Sequence, residues 1–480
     1  MGDLVVPVPF FSQITTALDI MYFMDVVVSG QLQPDVLKGA LEELTELGGW
    51  RKLGARLKRS KQHGFEFHIP KRFSAERPAF LWDERREDKS ASDAGILPSR
   101  TASVSLHPAL ADGIGRYRPP RFARRVVKEL LTDPKRLDDP ILQASVVVFR
   151  DVTLISLSVP HILTDAMGFK NIFSAWCTVL AGRKETVPPL LDFDVDPLRD
   201  VQGEYGSDIA RGTRVRVASK LALVRFYAKY AIEVVKLPDE ETRIIFIPLA
   251  KLEAVKAAAK SELASRGVDG WVSTADAVSA VMMKLGTLFY KPTDTRPFAL
   301  AFSANARGRV PALQSAVEKD GFIGCAVLSH NTAPTPVSDI RGASLASLAI
   351  MHRTAVQQLD SPSEVAANIS TSRRAYEKQR WVLNFKIRGT GYYVTNWMAA
   401  DYTSLDFTAA LAPNIERTDA AGRVLFAAGD AAEVGMMRRN WSIVFAKDGP
   451  AIPEQERGVW LETGFARQHW PAVEEFLASV

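Results

Sequence analysis

The sequence predicts an α/β protein with mixed sheets, because strand-like and helix-like segments are interspersed in both halves of the chain. Apolar residues make up 47 % and charged residues 24 % of the chain, as in ordinary globular proteins. The chain has 480 residues. At roughly 100–200 residues per domain, this length predicts two or three domains and a large buried core.

The first predicted elements lie near the N-terminus. The apolar, β-branched segment Met21 to Val28 is typical of a strand. Asp35 is predicted to cap a helix from Val36 to Leu47, whose buried face carries Leu37, Leu41 and Leu44. Phe65 to Ile69 alternates like a strand, and the Pro-rich and charged residues that follow it favour loop structure.

A β-hairpin is the clearest local prediction in the first half. Leu142 to Phe149 and Thr153 to Val159 are strand-like runs with a tight link between them. The second run leads into His161, and Asp165 then starts a predicted helix that ends near Gly182. The hairpin therefore places His161 where a strand ends and a loop meets a helix.

Two segments follow the hairpin and its helix. Residues 185–214 are rich in Pro, Asp and Gly, and we interpret them as a crossover between two halves. Val215 to Leu237 is basic, apolar and helix-like. This helix could lie on a membrane surface, or pack on the body of the protein with its lysines in water, and the sequence favours the second interpretation.

The second half repeats the mixture of strands and helices. Ser273 opens a predicted helix, with Asp276 three positions on as its capping-box partner. The other predicted elements are strands at 243–247, 298–304, 322–328, 392–396, 441–445 and 459–463, and helices at 249–263, 337–359 and 471–478.

Composition excludes several classes of protein. The net charge of +5 and the pI of about 9.0 would help to attract a polyanionic small ligand, but the basic residues do not cluster as a nucleic-acid site requires. The two cysteines and seven scattered histidines predict neither a disulfide framework nor a metal site. We find no signal peptide and no apolar run long enough to span a membrane, so the expected location is the cytoplasm.

The sharpest motif is His161-Ile-Leu-Thr-Asp165-Ala-Met-Gly168. A neutral imidazole can take a proton from an alcohol near neutral pH, since its unperturbed pKa is about 6.5. The motif alone also fits a strand-end histidine bonded to the backbone and an aspartate that only caps a helix.

Further segments occur in a fixed order along the chain. They are LKGALEELTELGGWRKLGARL with GFEFHIP, DDPILQASVVVF with LISLSVPHILTDAMGFKNIFSAW, VSTADAVSAVMMK, SANARGRVPAL, DGFIGCAV and TNWMAADYTSLDF. Over nearly its whole length, the chain thereby resembles the HxxxD acyltransferases often called BAHD, and within them the fungal branch that acts on secondary metabolites.

The resemblance implies two chloramphenicol-acetyltransferase-like domains, residues 1–188 and 241–480, with a crossover segment at 189–240 and a solvent channel between the domains. It implies acyl-CoA as co-substrate, no permanently bound cofactor, no metal and direct acyl transfer. His161 would be the general base toward a small-molecule alcohol. Thr395 would stabilise the oxyanion, and Trp397 would shape the pocket.

The resemblance also implies roles for residues around the motif. Asp165 would face away from the substrate and pair with Arg307, or failing that with Arg309. Ser273 and Thr274 would meet a phosphate of coenzyme A at a helix N-terminus, although a plain helix cap explains them equally well.

The sequence departs from the family pattern at three places. Ala166 stands where a glycine usually follows the aspartate, and the glycine comes two places later, as Gly168. The DFGWG signature, which is structural in the family, is reduced to Asp406-Phe407-Thr408-Ala409-Ala410. Cys325 replaces an asparagine, which puts the support of Asp165 in doubt.

The resulting prediction is a monomeric O-acyltransferase, most simply an O-acetyltransferase, acting on a terpenoid, polyketide or alkaloid. Three alternatives remain at this stage. They are transfer from a carrier protein as in condensation domains, N-acylation, and a relative that binds a ligand without catalysis.

Overall fold

The computed structural model describes residues 2–13, 20–120, 131–133, 136–191, 195–199, 201, 216–311, 313–314, 321–379, 382–383, 389–433 and 439–480. The strands in these ranges are β1 Leu4–Pro7, β2 Ile20–Ser29, β3 Arg56–Ser60, β4 Gly64–Ile69, β5 Leu81–Arg86, β6 Ser105–Pro108, β7 Gln143–Val148, β8 Val152–Pro160, β9 Arg216–Val217, β10 Glu240–Pro248, β11 Pro297–Asn305, β12 Val327–Asn331, β13 Thr335–Pro336, β14 Val382–Leu383, β15 Thr390–Asn396, β16 Val424–Glu433, β17 Trp441–Lys447 and β18 Gly458–Ala466.

The helices in the described ranges are α1 Pro34–Glu46, α2 Ala166–Leu180, α3 Lys220–Lys236, α4 Leu249–Ser265, α5 Thr274–Leu285, α6 Val337–Gly342, α7 Leu345–Leu359, α8 Pro362–Glu377 and α9 Trp470–Ser479. Short 3-10 turns connect several of these elements. The mixture confirms the predicted α/β class.

The first large sheet has the strand order β16-β2-β8-β7-β5. Its central strands are buried on both faces, and the predicted hairpin of β7 and β8 is confirmed. Helix α2 packs against α1, and the Trp176 indole donates a hydrogen bond to the Leu37 carbonyl over 3.0 Å. This packing fixes the direction in which α2 leaves the end of β8.

The second large sheet has the strand order β12-β11-β15-β17-β18-β10-β6, with β13 paired to β11. Strands β11, β15 and β17 run parallel to one another, and the pairs β17–β18 and β18–β10 are antiparallel. Helices α4, α5 and α7 pack together, and α5 contacts β11 and β15. This arrangement directs the N-terminus of α5 and the end of β15 toward the same cavity.

Each half of the chain contributes one strand to the large sheet of the other half. Strand β6, from the first half, pairs with β10, and β16, from the second half, pairs with β2. Beside β16, the buried Arg118 guanidinium bonds Asp25 of β2 over 2.5 Å and Asp430 of β16 over 2.7 Å. Because both carboxylates are buried, this arginine joins the two halves of the chain inside the core.

One predicted cap was wrong. Helix α1 begins two residues earlier than a cap at Asp35 requires, with Pro34 as its first residue and Gln33 at the cap position. Asp35 lies inside the first turn, where a carboxylate still interacts favourably with the helix dipole. Proline at the first helical position, with its fixed φ, sets this start.

The predicted strand 322–328 is replaced by β12, which begins only at Val327, and the predicted helix 337–359 is divided into α6 and α7. The sequence prediction missed several short strands and two longer elements, β16 and α8. Strand β16 contains four alanines and a glycine, which have weak strand preference, but burial beside β2 overrides that preference. Helix α8 is rich in serine and other polar residues, although several of these are buried in the fold. Most of the predicted crossover 185–214 lies outside the described residues.

Candidate active site

His161 follows the last residue of β8. Its backbone N–H donates to the Ile20 carbonyl over 2.9 Å, which continues the pairing of β8 with β2 for one more residue. A tight turn follows, in which Leu163 N–H bonds the Pro160 carbonyl over 2.9 Å. The backbone of His161 is therefore fixed between a sheet and a helix, while its side chain lines a cavity.

The two ring nitrogens of His161 have different partners. Nδ1 lies 2.8 Å from the Thr164 carbonyl oxygen, which can only accept, so Nδ1 carries the proton in this contact. Nε2 then has a lone pair, and it lies 2.8 Å from the Tyr22 hydroxyl. The Tyr22 ring stacks on the imidazole with a centroid separation of 4.2 Å. These contacts fix both the tautomer and the orientation of the ring.

Burial lowers the pKa of His161 below the ordinary histidine value of 6.5, because removal from bulk water disfavours the imidazolium. The Thr164 carbonyl and the charge of Asp165 oppose this shift without cancelling it. At neutral pH the ring is thus neutral and able to accept a proton at Nε2.

Asp165 is buried and faces the second half of the chain. Its Oδ2 lies 2.8 Å from Arg307 Nη1 and accepts a hydrogen bond from the Ala326 backbone over 2.8 Å. Its Oδ1 accepts from Gly168 N–H over 2.9 Å, so it is the N-cap of α2. Burial alone would raise the pKa of Asp165, but Arg307 and the backbone donors outweigh burial and hold it below the usual range.

Arg307 is also nearly fully buried, and its second nitrogen donates to the Gly324 carbonyl over 2.6 Å. Arg309, the other predicted partner of Asp165, instead pairs with Asp360 over 2.8 Å.

Gly168 lies where α2 meets the chain around Ile323. A Cβ at this position would clash with the Ile323 carbonyl and with the Thr164 hydroxyl, so the close approach requires glycine. Ala166 has no such constraint, and its carbonyl accepts from the Tyr402 hydroxyl over 2.7 Å.

The buried thiol of Cys325 contacts His161 rather than Asp165. Its Sγ lies 2.9 Å from the His161 carbonyl oxygen and 3.4 Å from Nδ1. Burial raises the pKa of this thiol, so it is protonated and can donate to the carbonyl. The expected loss of support for Asp165 does not follow from this geometry, because the Ala326 backbone supplies that support.

Thr395 and Trp397 lie at the end of β15 and line the same cavity as His161. The Trp397 indole N–H donates to Thr395 Oγ1 over 3.0 Å, which leaves the threonine proton available for another acceptor. The Trp397 ring meets Tyr22 edge-on, with a centroid separation of 5.1 Å. Tyr22 therefore connects the histidine and the tryptophan.

The cavity has a volume of about 680 Å³ and is lined by residues of both large sheets and of α3, α5 and α7. Ser273 lines it at the N-terminus of α5, where its hydroxyl forms the predicted capping box with Asp276. Thr274 does not line the cavity.

Asp276 anchors a polar cluster at this end of the cavity. Its buried carboxylate lies 2.7 Å from His352 Nδ1 and 2.5 Å from Arg353 Nη2. The Arg353 guanidinium also stacks over the exposed Trp271 ring, 4.0 Å from the centroid. Asp276, His352 and Arg353 all line the cavity.

Asp406 lies away from the cavity. Its carboxylate accepts from Thr408 N–H over 2.9 Å and pairs with Arg423 over 2.8 Å, at a bridge between the backbones of Asp406 and Arg423. These contacts shape the turn that leads back to the first sheet.

Sequence reasoning missed Tyr22 and the Asp276–His352–Arg353 cluster. Tyr22 lies in a strand buried on both faces, so alternation does not single it out. Its place beside His161 depends on the pairing of Tyr22 with Val159 across β2 and β8, and this register is not readable from either strand alone.

The comparisons with known proteins identify the chain as an acyltransferase. The model of the Transferase family matches residues 108–410, and the chain belongs to this family, the HxxxD acyltransferases that the sequence resembles.

Among curated relatives, the chain is 26 % identical to acetyltransferase sphE of Aspergillus fumigatus, over 100 % of this chain and 96 % of the relative. It is 25 % identical to acetyltransferase adrJ of Penicillium rubens, over 99 % of this chain and 95 % of the relative.

Two solved structures share the fold. TRI101 of F. sporotrichioides, complexed with coenzyme A and T-2, superimposes with a TM-score of 0.61 at 13 % identity, covering 98 % of this chain and 97 % of that one. Vinorine synthase gives a TM-score of 0.59 at 13 % identity, covering 99 % of this chain and 93 % of that one. These matches bear out the predicted fold class.

Two kinds of feature are absent from the described ranges. No helix there is long and apolar enough to cross a membrane. No group of three or more metal-ligating side chains comes together in the same part of the chain.

Proposed function

We propose that the protein transfers an acetyl group, or another short acyl group, from acyl-CoA to a hydroxyl of a small secondary metabolite, with His161 as general base. The observation that carries this proposal is the arrangement of the His161 ring. Nδ1 is held by a carbonyl, and the lone pair of Nε2 lies on the side where the Tyr22 hydroxyl is bonded, in a cavity of about 680 Å³.

The acceptor hydroxyl takes the place of the Tyr22 hydroxyl at Nε2. His161 removes its proton, and the oxygen attacks the thioester carbonyl carbon of acyl-CoA. The tetrahedral intermediate collapses as the carbon–sulfur bond breaks, and the coenzyme A thiolate leaves. The proton held on His161 is returned to that thiolate, so the enzyme ends the reaction unchanged.

Thr395 stabilises the oxyanion of the intermediate. Because its oxygen already accepts from the Trp397 indole, its hydroxyl proton is directed elsewhere, and it lies on the wall of the same cavity. One well-placed donor of this kind is typically worth about 2.7–4 kcal/mol of transition-state stabilisation.

Asp165 acts as a positioning residue. Its carboxylate is fully used by Arg307 and by two backbone donors, and none of these contacts reaches the reacting atoms. It fixes the loop of His161 against the second half of the chain.

The choice of acyl donor and acceptor is supported by the relatives. Acetyltransferases sphE and adrJ match nearly the whole chain, and a solved neighbour was complexed with coenzyme A and T-2. The net charge of +5 favours a polyanionic donor. Ser273 at the start of α5 lies on the cavity wall where an approaching phosphate would meet a helix N-terminus, although its hydroxyl is engaged in the cap.

The test is a single-turnover reaction of the full chain with radiolabelled acetyl-CoA and an extract of fungal secondary metabolites. We expect label to appear in a small molecule, and mild alkaline hydrolysis to release it as acetate, as for an ester. The His161→Ala protein should give no labelled product under the same conditions.

Two results would contradict the proposal. Equal labelling by wild type and His161→Ala would remove His161 from the mechanism. Label that resists alkali would identify an amide, and hence an amine acceptor instead of an alcohol.

A further inference from the structure

Helix α3 has two faces with different surroundings. Leu223, Phe226, Tyr230 and Glu233 follow one another at helical spacing and line the cavity. These side chains are partly buried, and the helix holds no fully buried residue. The inner face therefore forms a wall of the cavity, and the outer face is turned to solvent.

The outer face is apolar. An α-helix turns by about 100° per residue, so six apolar residues fall within an arc of about 100° on this face. They are Leu221, Val224, Ala228, Ala231, Ile232 and Val235. The exposed fraction is 57 % for Leu221, 64 % for Val224, 57 % for Ile232 and 81 % for Val235. A continuous exposed apolar stripe of this kind marks a binding surface.

Basic residues border the stripe. Arg225 and Lys236 follow it on one side, and Lys220 borders it on the other. These three cations are exposed, whereas Lys229 lines the cavity and donates to the Gly389 carbonyl over 3.1 Å. Glu233, the one acidic residue of the helix, points away from the stripe toward the cavity. The exposed half of α3 thus carries positive charge on both edges of an apolar strip.

We propose that the outer face of α3 docks the protein on the surface of an anionic phospholipid membrane. An apolar arc flanked by lysine and arginine is the pattern of a helix that lies in the plane of the interface. Its aliphatic side chains enter the boundary between headgroups and acyl chains, and its cations meet the phosphates. The helix lies on the membrane and does not cross it, because its 17 residues include five charged side chains, whereas a span needs about 20 predominantly apolar residues.

The basic residues on both edges of the stripe favour a lipid surface over a protein as its binding partner. A protein partner would need a matching acidic rim on both sides of an apolar groove, whereas an anionic bilayer supplies negative charge in every direction around the helix. The docked orientation also leaves the cavity face of α3 turned toward the protein. Docking therefore does not depend on acyl transfer.

The experiment is sedimentation of the full chain with vesicles, either of phosphatidylcholine alone or with phosphatidylglycerol added. We expect binding to the anionic vesicles and little binding to the neutral ones. The double variant Val224→Glu with Val235→Glu should lower the partition coefficient by at least about tenfold, since it places charge in the apolar arc. Raising the salt from about 0.1 M to about 0.5 M should weaken binding by the wild type, because the attraction is screened.

The control is the double variant Val36→Glu with Val268→Glu, which adds the same charge at exposed valines outside α3. It should bind vesicles with no loss beyond that caused by its added charge, and far better than the α3 variant. Circular dichroism and thermal unfolding establish that both variants are folded.

Failure of the wild type to sediment with anionic vesicles would overturn the proposal, as would equal binding by the two double variants. Sedimentation velocity without lipid gives a further test. A dimer that the α3 variant dissociates would assign the stripe to a second copy of the chain and not to a membrane.

Discussion

Two aspartates at helix N-termini line the same cavity, but they differ in whether their carboxylate contacts the Nδ1 atom of a histidine. Asp165 caps α2, four residues after His161, and Asp276 lies in the first turn of α5. Each is almost completely buried and each pairs with an arginine, Arg307 in the first case and Arg353 in the second. By sequence alone, only Asp165 belongs to a histidine-aspartate motif.

The hydrogen bonds show the opposite arrangement, in which Asp276 and not Asp165 bonds a histidine ring. His161 Nδ1 bonds the Thr164 carbonyl and not Asp165, whereas His352 Nδ1 lies 2.7 Å from Asp276. The direct aspartate–histidine pair is therefore at α5, away from the catalytic motif. Proximity of a carboxylate to an imidazole does not identify the base here. What distinguishes His161 is the place of its Nε2, which the bond of Nδ1 to a backbone carbonyl leaves as an acceptor and which lies beside the Tyr22 hydroxyl in the cavity.

The largest expected effect separates the two histidines. His161→Ala should lower kcat by about 10²–10⁴-fold, the range typical of a lost general base. His352→Ala should lower kcat by less than about tenfold, because His352 bonds Asp276 and packs on Phe302. His161, by contrast, is joined through Tyr22 to Trp397 and Thr395, where the proposed oxyanion donor lies. Pre-steady-state measurement of acetyl transfer in both variants checks the difference.

Both proteins must first be shown to bind acyl-CoA, for example by isothermal titration, so that loss of binding is not counted as loss of chemistry. A drop in kcat for His352→Ala as large as that for His161→Ala would break the comparison and make Asp276–His352 the catalytic pair.

The second effect separates the two aspartates by stability. Asp165→Asn leaves the buried Arg307 without a counter-charge, and breaking a buried pair typically costs about 3–5 kcal/mol of unfolding free energy. Asp276→Asn should cost less, about 1–3 kcal/mol, because Arg353 lies beside the cavity and water can solvate it.

Urea unfolding at pH 7 measures both losses, with Asp406→Asn as the matched control, because that carboxylate is half-exposed and its ion pair is worth less than about 1 kcal/mol. Equal losses at Asp165 and Asp276 would mean that water does not reach Arg353.

The third effect concerns the arginine at α5. Arg353→Met should raise the KM for acyl-CoA by about three- to tenfold, with kcat nearly unchanged, because it removes a positive charge from the end of the cavity where the proposed function places a phosphate of the donor. Arg353→Lys retains the charge and should restore most of the affinity. A fall in kcat without a change in KM would place Arg353 with the reacting atoms and not with the donor.

The sequence predicted much of the scaffold around the motif. Strong local signals found the hairpin of β7 and β8, the Asp165 cap and the capping box at Ser273, because each depends on residues close together in the chain. The pairing of Asp165 with Arg307 entered only through the family resemblance, since 142 positions separate the two residues. Tyr22 and the Asp276–His352 pair depend on register and helix packing, for which no local pattern exists.

The exchange of strands between the two halves could not be predicted from local sequence patterns. Strand β16 has the composition of a loop or weak helix, yet nine of its ten residues pair with β2. Its place is set by what surrounds it, including Arg118 between Asp25 and Asp430. The domain boundaries predicted from composition remain a prediction.

The smallest expected effect is a shift in the pH profile of kcat/KM, which should differ between substitutions of the two aspartates. Burial lowers the pKa of His161 below the ordinary histidine value, so the acid limb of kcat/KM should lie at a lower pH than an ordinary histidine would give. The negative charge of Asp165 acts against this shift and raises the pKa of His161. Asp165→Asn should therefore move the acid limb to still lower pH, whereas Asp276→Asn should leave the limb nearly in place, because Asp276 is paired with His352 and Arg353 at α5.

The profiles are measured at a temperature where each variant is folded, with kcat/KM followed from about pH 5 to pH 8, the range that spans histidine titration. A limb that moves to higher pH in Asp165→Asn would mean that rearrangement around Arg307, and not loss of charge, controls the imidazole. A limb that moves only in Asp276→Asn would assign the titration to His352. In either case the backbone contact at Nδ1 could no longer be the feature that separates the two histidines.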